Sequence, residues 1–139
     1  MPEIERIHAD GVPPALGNYS HAVRYEGLII VSGIASRDAK SNALPGLVKD
    51  AAGKILKYDI ELETRATLEN IGRILMAAGS DWEHVLEVNT YLLDMRDFKK
   101  YNEVYAEFFT RHFPARTTLG VQSLPGDIHI EMKVVAVKK

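Results

Sequence analysis

The chain has 139 residues, 46% of them hydrophobic, with 17 Lys and Arg against 19 Asp and Glu for a formal net charge of -2. That length makes a single domain, residues 1–139, with room for a substantial core. The scattered charges leave neither the basic stripe of a nucleic-acid binder nor a membrane-surface footprint. Cysteine is absent, which excludes disulfides, thiol nucleophiles and thiolate metal sites and fits a reducing compartment. Met1-Pro2-Glu3-Ile4-Glu5-Arg6 lacks the apolar core of a secretory leader, and no later run reaches membrane-spanning length, so a cytoplasmic location is expected.

In chain order, Ile4 to His8 reads as a short edge strand and Asp10-Gly11-Val12-Pro13-Pro14 as a loop. Ala22 to Tyr25, a turn at Glu26-Gly27 and the apolar run Leu28 to Gly33 predict a hairpin-like pair of strands. A polar stretch over 37–42 follows, then a short strand over Leu44 to Val48 and a turn at Ala52-Gly53. Asp59 opens the clearest helix as its N-cap, with Glu61 and Glu63 at the positive end of the macrodipole and Gly79 past its C-terminus. Ile60, Thr64, Leu68, Ile71, Leu75 and Ala78 recur at helical spacing and form its core stripe; Asn70 and Arg73 fall off the stripe and are expected at the surface.

Val85 to Leu93 predicts a strand with Leu86, Val88, Thr90 and Leu92 on one face. Asp97 is expected to cap a second helix, whose buried stripe is Phe98, Tyr101, Val104, Tyr105 and Phe108, with Asn102 one step beside it. Ile128 to Val137 alternates cleanly, placing Ile130, Met132, Val134 and Ala136 on one face and His129, Glu131, Lys133 and Val135 on the other.

Between these last elements, Pro114 ends the helical segment and sends the chain into an extended run carrying a lone arginine, Arg116, which shares a strand face with Thr118 and Gly120. A planar guanidinium beside small residues suits a carboxylate, bound two-pronged. The competing reading is a structural arginine paired with an internal acid. Two helices cover only one face of a sheet of about six strands. The other face is expected to carry Arg116, Thr118, Glu131 and Lys133 among aliphatics. That mixture predicts a homo-oligomer whose sheet faces pack together, with sites near subunit boundaries.

The ordered set Gly17-Asn18-Tyr19-Ser20-His21-Ala22-Val23, Val31-Ser32-Gly33, Thr64-Arg65-Ala66-Thr67-Leu68-Glu69-Asn70-Ile71, Ala77-Ala78-Gly79-Ser80, Tyr101-Asn102-Glu103-Val104-Tyr105, Pro114-Ala115-Arg116-Thr117-Thr118, Leu124-Pro125 and Ile130-Glu131 resembles the reactive-intermediate deaminase family, also called the YjgF family. The resemblance runs from about residue 17 to 138. It implies an α+β, chorismate-mutase-like fold with two helices on one face of the sheet. It also implies a homotrimer with clefts between subunits, and hydrolysis of enamines or imines of small carboxylic acids to 2-oxo acids and ammonia without metal or organic cofactor.

By the same resemblance Arg116 clamps the substrate carboxylate, Glu131 positions a water, Tyr19 walls the cleft, and Ser32 and Asn102 offer polar groups near it; Thr118, on the strand face of Arg116, is a further candidate for binding substrate. Structural roles compete for each: Glu131 paired with Lys133 or Arg116, Tyr19 and Ser32 in packing or turn hydrogen bonds, Asn102 bonded to backbone. Asn18 and Ile34 depart from common members. With Ala35-Ser36-Arg37 they look like the 2-aminomuconate deaminase branch, and Arg37 becomes the candidate for holding a second carboxylate. His21 could also face the cleft. The five histidines show no metal-ligand spacing. A general 2-iminopropanoate or 2-iminobutanoate deaminase and a non-catalytic ligand-binding trimer are the alternatives, and a ribonuclease is disfavoured by the acidic balance.

Overall fold

The computed structural model describes residues 1–139. Its strands are β1 Ile4–Ile7, β2 Ala22–Tyr25, β3 Leu28–Val31, β4 Val48–Lys49, β5 Ile55–Lys57, β6 Val85–Leu92, β7 Ala115–Gly120 and β8 Ile130–Val137; its helices are α1 Ile60–Ala77 and α2 Phe98–Phe108. Six strands form one mixed sheet in the order β1-β2-β3-β8-β6-β7, and β4 and β5 make a separate hairpin. Only β6 and β7 run parallel; a parallel pair needs a crossover, and α2 supplies it. Both helices cover one face, so the architecture is α+β as expected. No helix is long and apolar enough to cross a membrane.

α1 starts where the sequence places it, with the Asp59 carboxylate accepting from the Leu62 N–H at 3.1 Å, and Gly79 follows its end at φ 83. Its stripe packs into a core with Ile29, Val31, Val88, Leu92, Ile130, Met132, Val134 and Ala136 of the sheet. Burial of that contiguous apolar surface supplies the main driving force for folding.

Several local expectations change for identifiable reasons. The run at Leu44 turns before it can pair: Gly46 sits at φ 80, where a Cβ would meet the Asp59 Cβ at 2.7 Å, and the strand begins at Val48. Asp97 holds the N-cap position of α2, but its side chain makes no capping hydrogen bond. The residue is already helical in backbone, and Asp94 caps the preceding 3-10 turn by accepting from the Arg96 N–H. In β6 a register irregularity between Val85 and Glu87 buries Val85 and leaves Leu86 48% exposed. Asn70 is buried, not at the surface.

The largest change concerns the two sheet faces. Arg116 lies in register with Val88 and Thr118 with Thr90, both of which are buried beneath the helices. Arg116 and Thr118 therefore stand on the helix side, opposite Glu131 and Lys133. His129, preceding β8, also leaves the expected alternation and turns into the core. The helix-free face still exposes Tyr25, Leu28, Ile30 and Leu119, an apolar area of the kind that marks an interaction surface.

Candidate functional site

A cavity of about 450 Å³ opens beside the start of β8, lined among others by Pro14, Tyr19, Gly33, Arg37, Asn70 and Glu131. Its chemistry centres on Glu131. This side chain is half-buried and forms no ion pair with Lys133 or Arg116; the Lys133 ammonium instead donates to the Val31 carbonyl at 3.1 Å. Burial alone pushes the Glu131 carboxyl above the usual carboxylate range. Gly33 makes room for it: a Cβ there would lie 2.8 Å from Glu131 Oε2. An unpaired carboxylate seated against backbone in a cavity can orient a water and take its proton.

One wall of the cavity is a strap over residues 13–17, tied down by side chains the sequence singled out. Tyr19 is 47% exposed to the cavity mouth, and its hydroxyl accepts from the Leu16 N–H at 3.3 Å. Arg37 donates to the Pro14 carbonyl at 3.1 Å and to Asn42. His21 is buried, with Nδ1 accepting from the Ala9 N–H and Nε2 donating to the Pro13 carbonyl at 2.8 Å. It thus contributes structure to the wall. Ser32 is outside the lining; its hydroxyl donates to the Ser20 carbonyl at 2.6 Å.

Arg116, Thr118 and Asn102 form a second cluster on the other side of the sheet. The exposed guanidinium lies over the rings of Tyr105, Phe98 and Tyr101 at 4.5, 5.7 and 5.7 Å, and donates to Asn102 Oδ1 at 2.8 Å. It makes no salt bridge, so the alternative of an internal acid partner is not realised in the protomer. Rings and amide hold the cation while leaving its charge uncompensated. Asn102 is thereby a support for Arg116. Thr118 Oγ1 lies 3.4 Å from the Tyr101 hydroxyl. Burial pushes the Tyr105 hydroxyl up to about 12, so it stays protonated beside the guanidinium.

Two features escaped the sequence reading. Asn70 donates to the Ala35 and Arg37 carbonyls at 3.0 and 3.1 Å, fixing the segment from which Arg37 reaches the cavity. Glu63 is fully buried and bonds His129. Glu63, Thr67 and Asn70 fall at helical spacing as a polar stripe beside the apolar one, and all three are buried; the spacing was legible, the burial was not.

Comparison with known proteins gives a consistent picture. The chain is 39% identical to a RutC family protein of Pyrococcus horikoshii over 97% of its own length and 98% of that protein. It is 34% identical to the human 2-iminobutanoate/2-iminopropanoate deaminase over 91% of its length and 84% of the relative. The crystal structure of the YjgF gene product of E. coli superposes with a TM-score of 0.84 at 30% identity, covering 97% of this chain and 99% of that one. The endoribonuclease L-PSP family model matches residues 11–138, and the chain belongs to this family.

Proposed function

We propose that the protein hydrolyses the imine or enamine of a small carboxylic acid to the 2-oxo acid and ammonia, in clefts completed between the subunits of a homotrimer. The observation that carries the reading is Glu131, an unpaired carboxylate held inside a cavity against Gly33. Arg116 supplies the complementary charge from a second copy. It stands exposed and without an acid partner on an edge strand, and the apolar helix-free face gives the copies a surface to share.

In this mechanism an enamine substrate first tautomerises to the imine, and Arg116 holds the carboxylate next to the imine carbon, with Thr118 beside it. Glu131 orients a water, whose oxygen adds to that carbon as its proton passes to the carboxylate. That proton passes on to the nitrogen to give the neutral carbinolamine; the carboxylate then carries the carbinolamine's hydroxyl proton to the amine, the C–N bond breaks as the C=O bond forms, ammonia leaves and the 2-oxo acid remains. Placing the water and neutralising the carboxylate charge supply the rate enhancement. Tyr19 walls the cleft, and Ser32 acts through the backbone it ties.

The preferred substrate in this reading is the dicarboxylate enamine 2-aminomuconate, giving 4-oxalocrotonate, because Arg37 brings a second cation to the cavity. The human relative's name favours a second reading, a monocarboxylate imine such as 2-iminobutanoate. The cavity's one arginine stands with Asp127 and Glu131, which is no track for a phosphodiester chain. Ammonia release from 2-aminomuconate and from 2-iminopropanoate, each generated in situ, tests the proposal. Faster turnover of the first supports the dicarboxylate, faster turnover of the second supports the general deaminase, and no ammonia from either overturns the enzymatic reading.

A further inference from the structure

Glu63 lies within α1 at 0% exposure, and no step of the proposed chemistry uses it. Burial pushes its carboxyl up, opposed by its bonds to His129. A buried carboxylate persists only where matched donors replace water, and here a single residue matches both oxygens. The His129 N–H donates to Oε1 at 3.0 Å, and His129 Nδ1 lies 2.9 Å from Oε2. The remaining contacts of His129 are equally fixed. Its carbonyl accepts from the Leu93 N–H at 3.1 Å, and its ring stacks on Tyr58 with centroids 3.7 Å apart and planes 5° from parallel. The Tyr58 hydroxyl in turn donates to Asp97 at 2.7 Å.

The position of His129 gives this network a purpose beyond the core. Pro125, Gly126, Asp127 and Ile128, immediately before it, line the cavity, and Glu131 lies two residues after it. The outer fastening of this segment is weak by comparison: Asp127 pairs with Lys49 at 2.5 Å, both partly exposed, and exposed pairs hold little. The inner fastening is the Glu63 carboxylate.

We infer that Glu63 is a positioning residue: through His129 it sets the 125–128 wall and the start of β8, and so holds the Glu131 carboxylate against Gly33. This rests on the reading of Glu131 as the group that holds the water. A displacement of the water by a fraction of an ångström to an ångström lowers turnover by on the order of 10–100-fold, so loss of the anchor falls on kcat more than on KM.

A double-mutant cycle on the full-length protein tests it, using ammonia release from whichever imine the native enzyme turns over. Glu63→Ala should lower kcat at least about 10-fold with a smaller change in KM, and Glu63→Gln, which keeps an acceptor for the His129 N–H, should recover most of the loss. In a Glu131→Gln background Glu63→Ala should cost less than about 2-fold, because the group it positions is gone. Equal losses in both backgrounds, or no loss in either, overturn the inference and leave the function intact. A fully active Glu131→Gln enzyme overturns the assignment of Glu131 and this inference with it. Should Glu63→Ala not fold, His129→Leu removes the imidazole's bond to Glu63 and its stack on Tyr58 while keeping the backbone N–H bond, and is read in the same cycle, with the same outcomes deciding.

Discussion

Arg116 stands on β7, an outermost strand of the sheet, exposed and on the helix side, with its cation lodged over three aromatic rings. Glu131 stands on β8, flanked by β3 and β6, half-buried on the opposite side and lodged against a glycine. One charge is presented outward by the rim of the molecule; the other is enclosed by its interior. Both lack an ionic partner. Within one chain the sheet itself separates them, which is why the proposed reaction draws them from two copies.

The comparison is broken or sharpened most directly by removing each charge. Arg116→Ala and Glu131→Gln should each lower kcat/KM by roughly 100-fold or more in an ammonia-release assay, the first by loss of charge clamping and the second by loss of the water's base. Co-refolding the two inactive variants in equal amounts should then restore activity to about one cleft in four, because random assortment joins an intact Arg116 to an intact Glu131 across a boundary that often. No recovery would place both residues in the same copy.

A smaller effect separates the cavity side by substrate. Arg37→Ala should raise KM for a dicarboxylate enamine by about 10-fold or more and leave a monocarboxylate imine near its native KM, since one charge-assisted contact is lost only for the first. Equal changes for both would make Arg37 only a fastening for the 13–17 strap.

The acid limb of kcat/KM tests the interior charge by pH. Burial raises the Glu131 pKa, so on acidification it takes up its proton at a higher pH than an ordinary carboxylate and activity falls there; Glu131→Gln should abolish that limb. The same sign governs stability. The ionised form is the one penalised in the fold, so the penalty is absent below the unfolded-state pKa and fully present above the folded one. Thermal melts should therefore show Glu131→Gln slightly more stable than native protein at neutral pH, with the difference vanishing in acid.

The smallest expected change tests the rim. Asn102→Ala should lower kcat/KM by about 3–10-fold, chiefly through KM, because the guanidinium keeps its rings but loses the amide that orients it. A native KM would remove Asn102 from the support of Arg116.

What the sequence determined by itself are the features whose causes are local. The N-cap Asp59, the stripe from Ile60 to Ala78, Gly79 at the helix end and the alternation from Ile130 to Ala136 each follow from the periodicity or backbone preference of neighbouring residues, and all appear in the fold. The sequence also singled out Arg116 and Glu131 as candidate residues. Only the tertiary structure decided which way those side chains face. Alternation along β7 says that Arg116, Thr118 and Gly120 share a side, but which side depends on the parallel register with β6, a pairing between distant segments. The fates of Asn70 and Glu63 were hidden for the same reason. A polar side chain on a helix reads as solvent-facing until a remote backbone, here Ala35, Arg37 and His129, arrives to satisfy it.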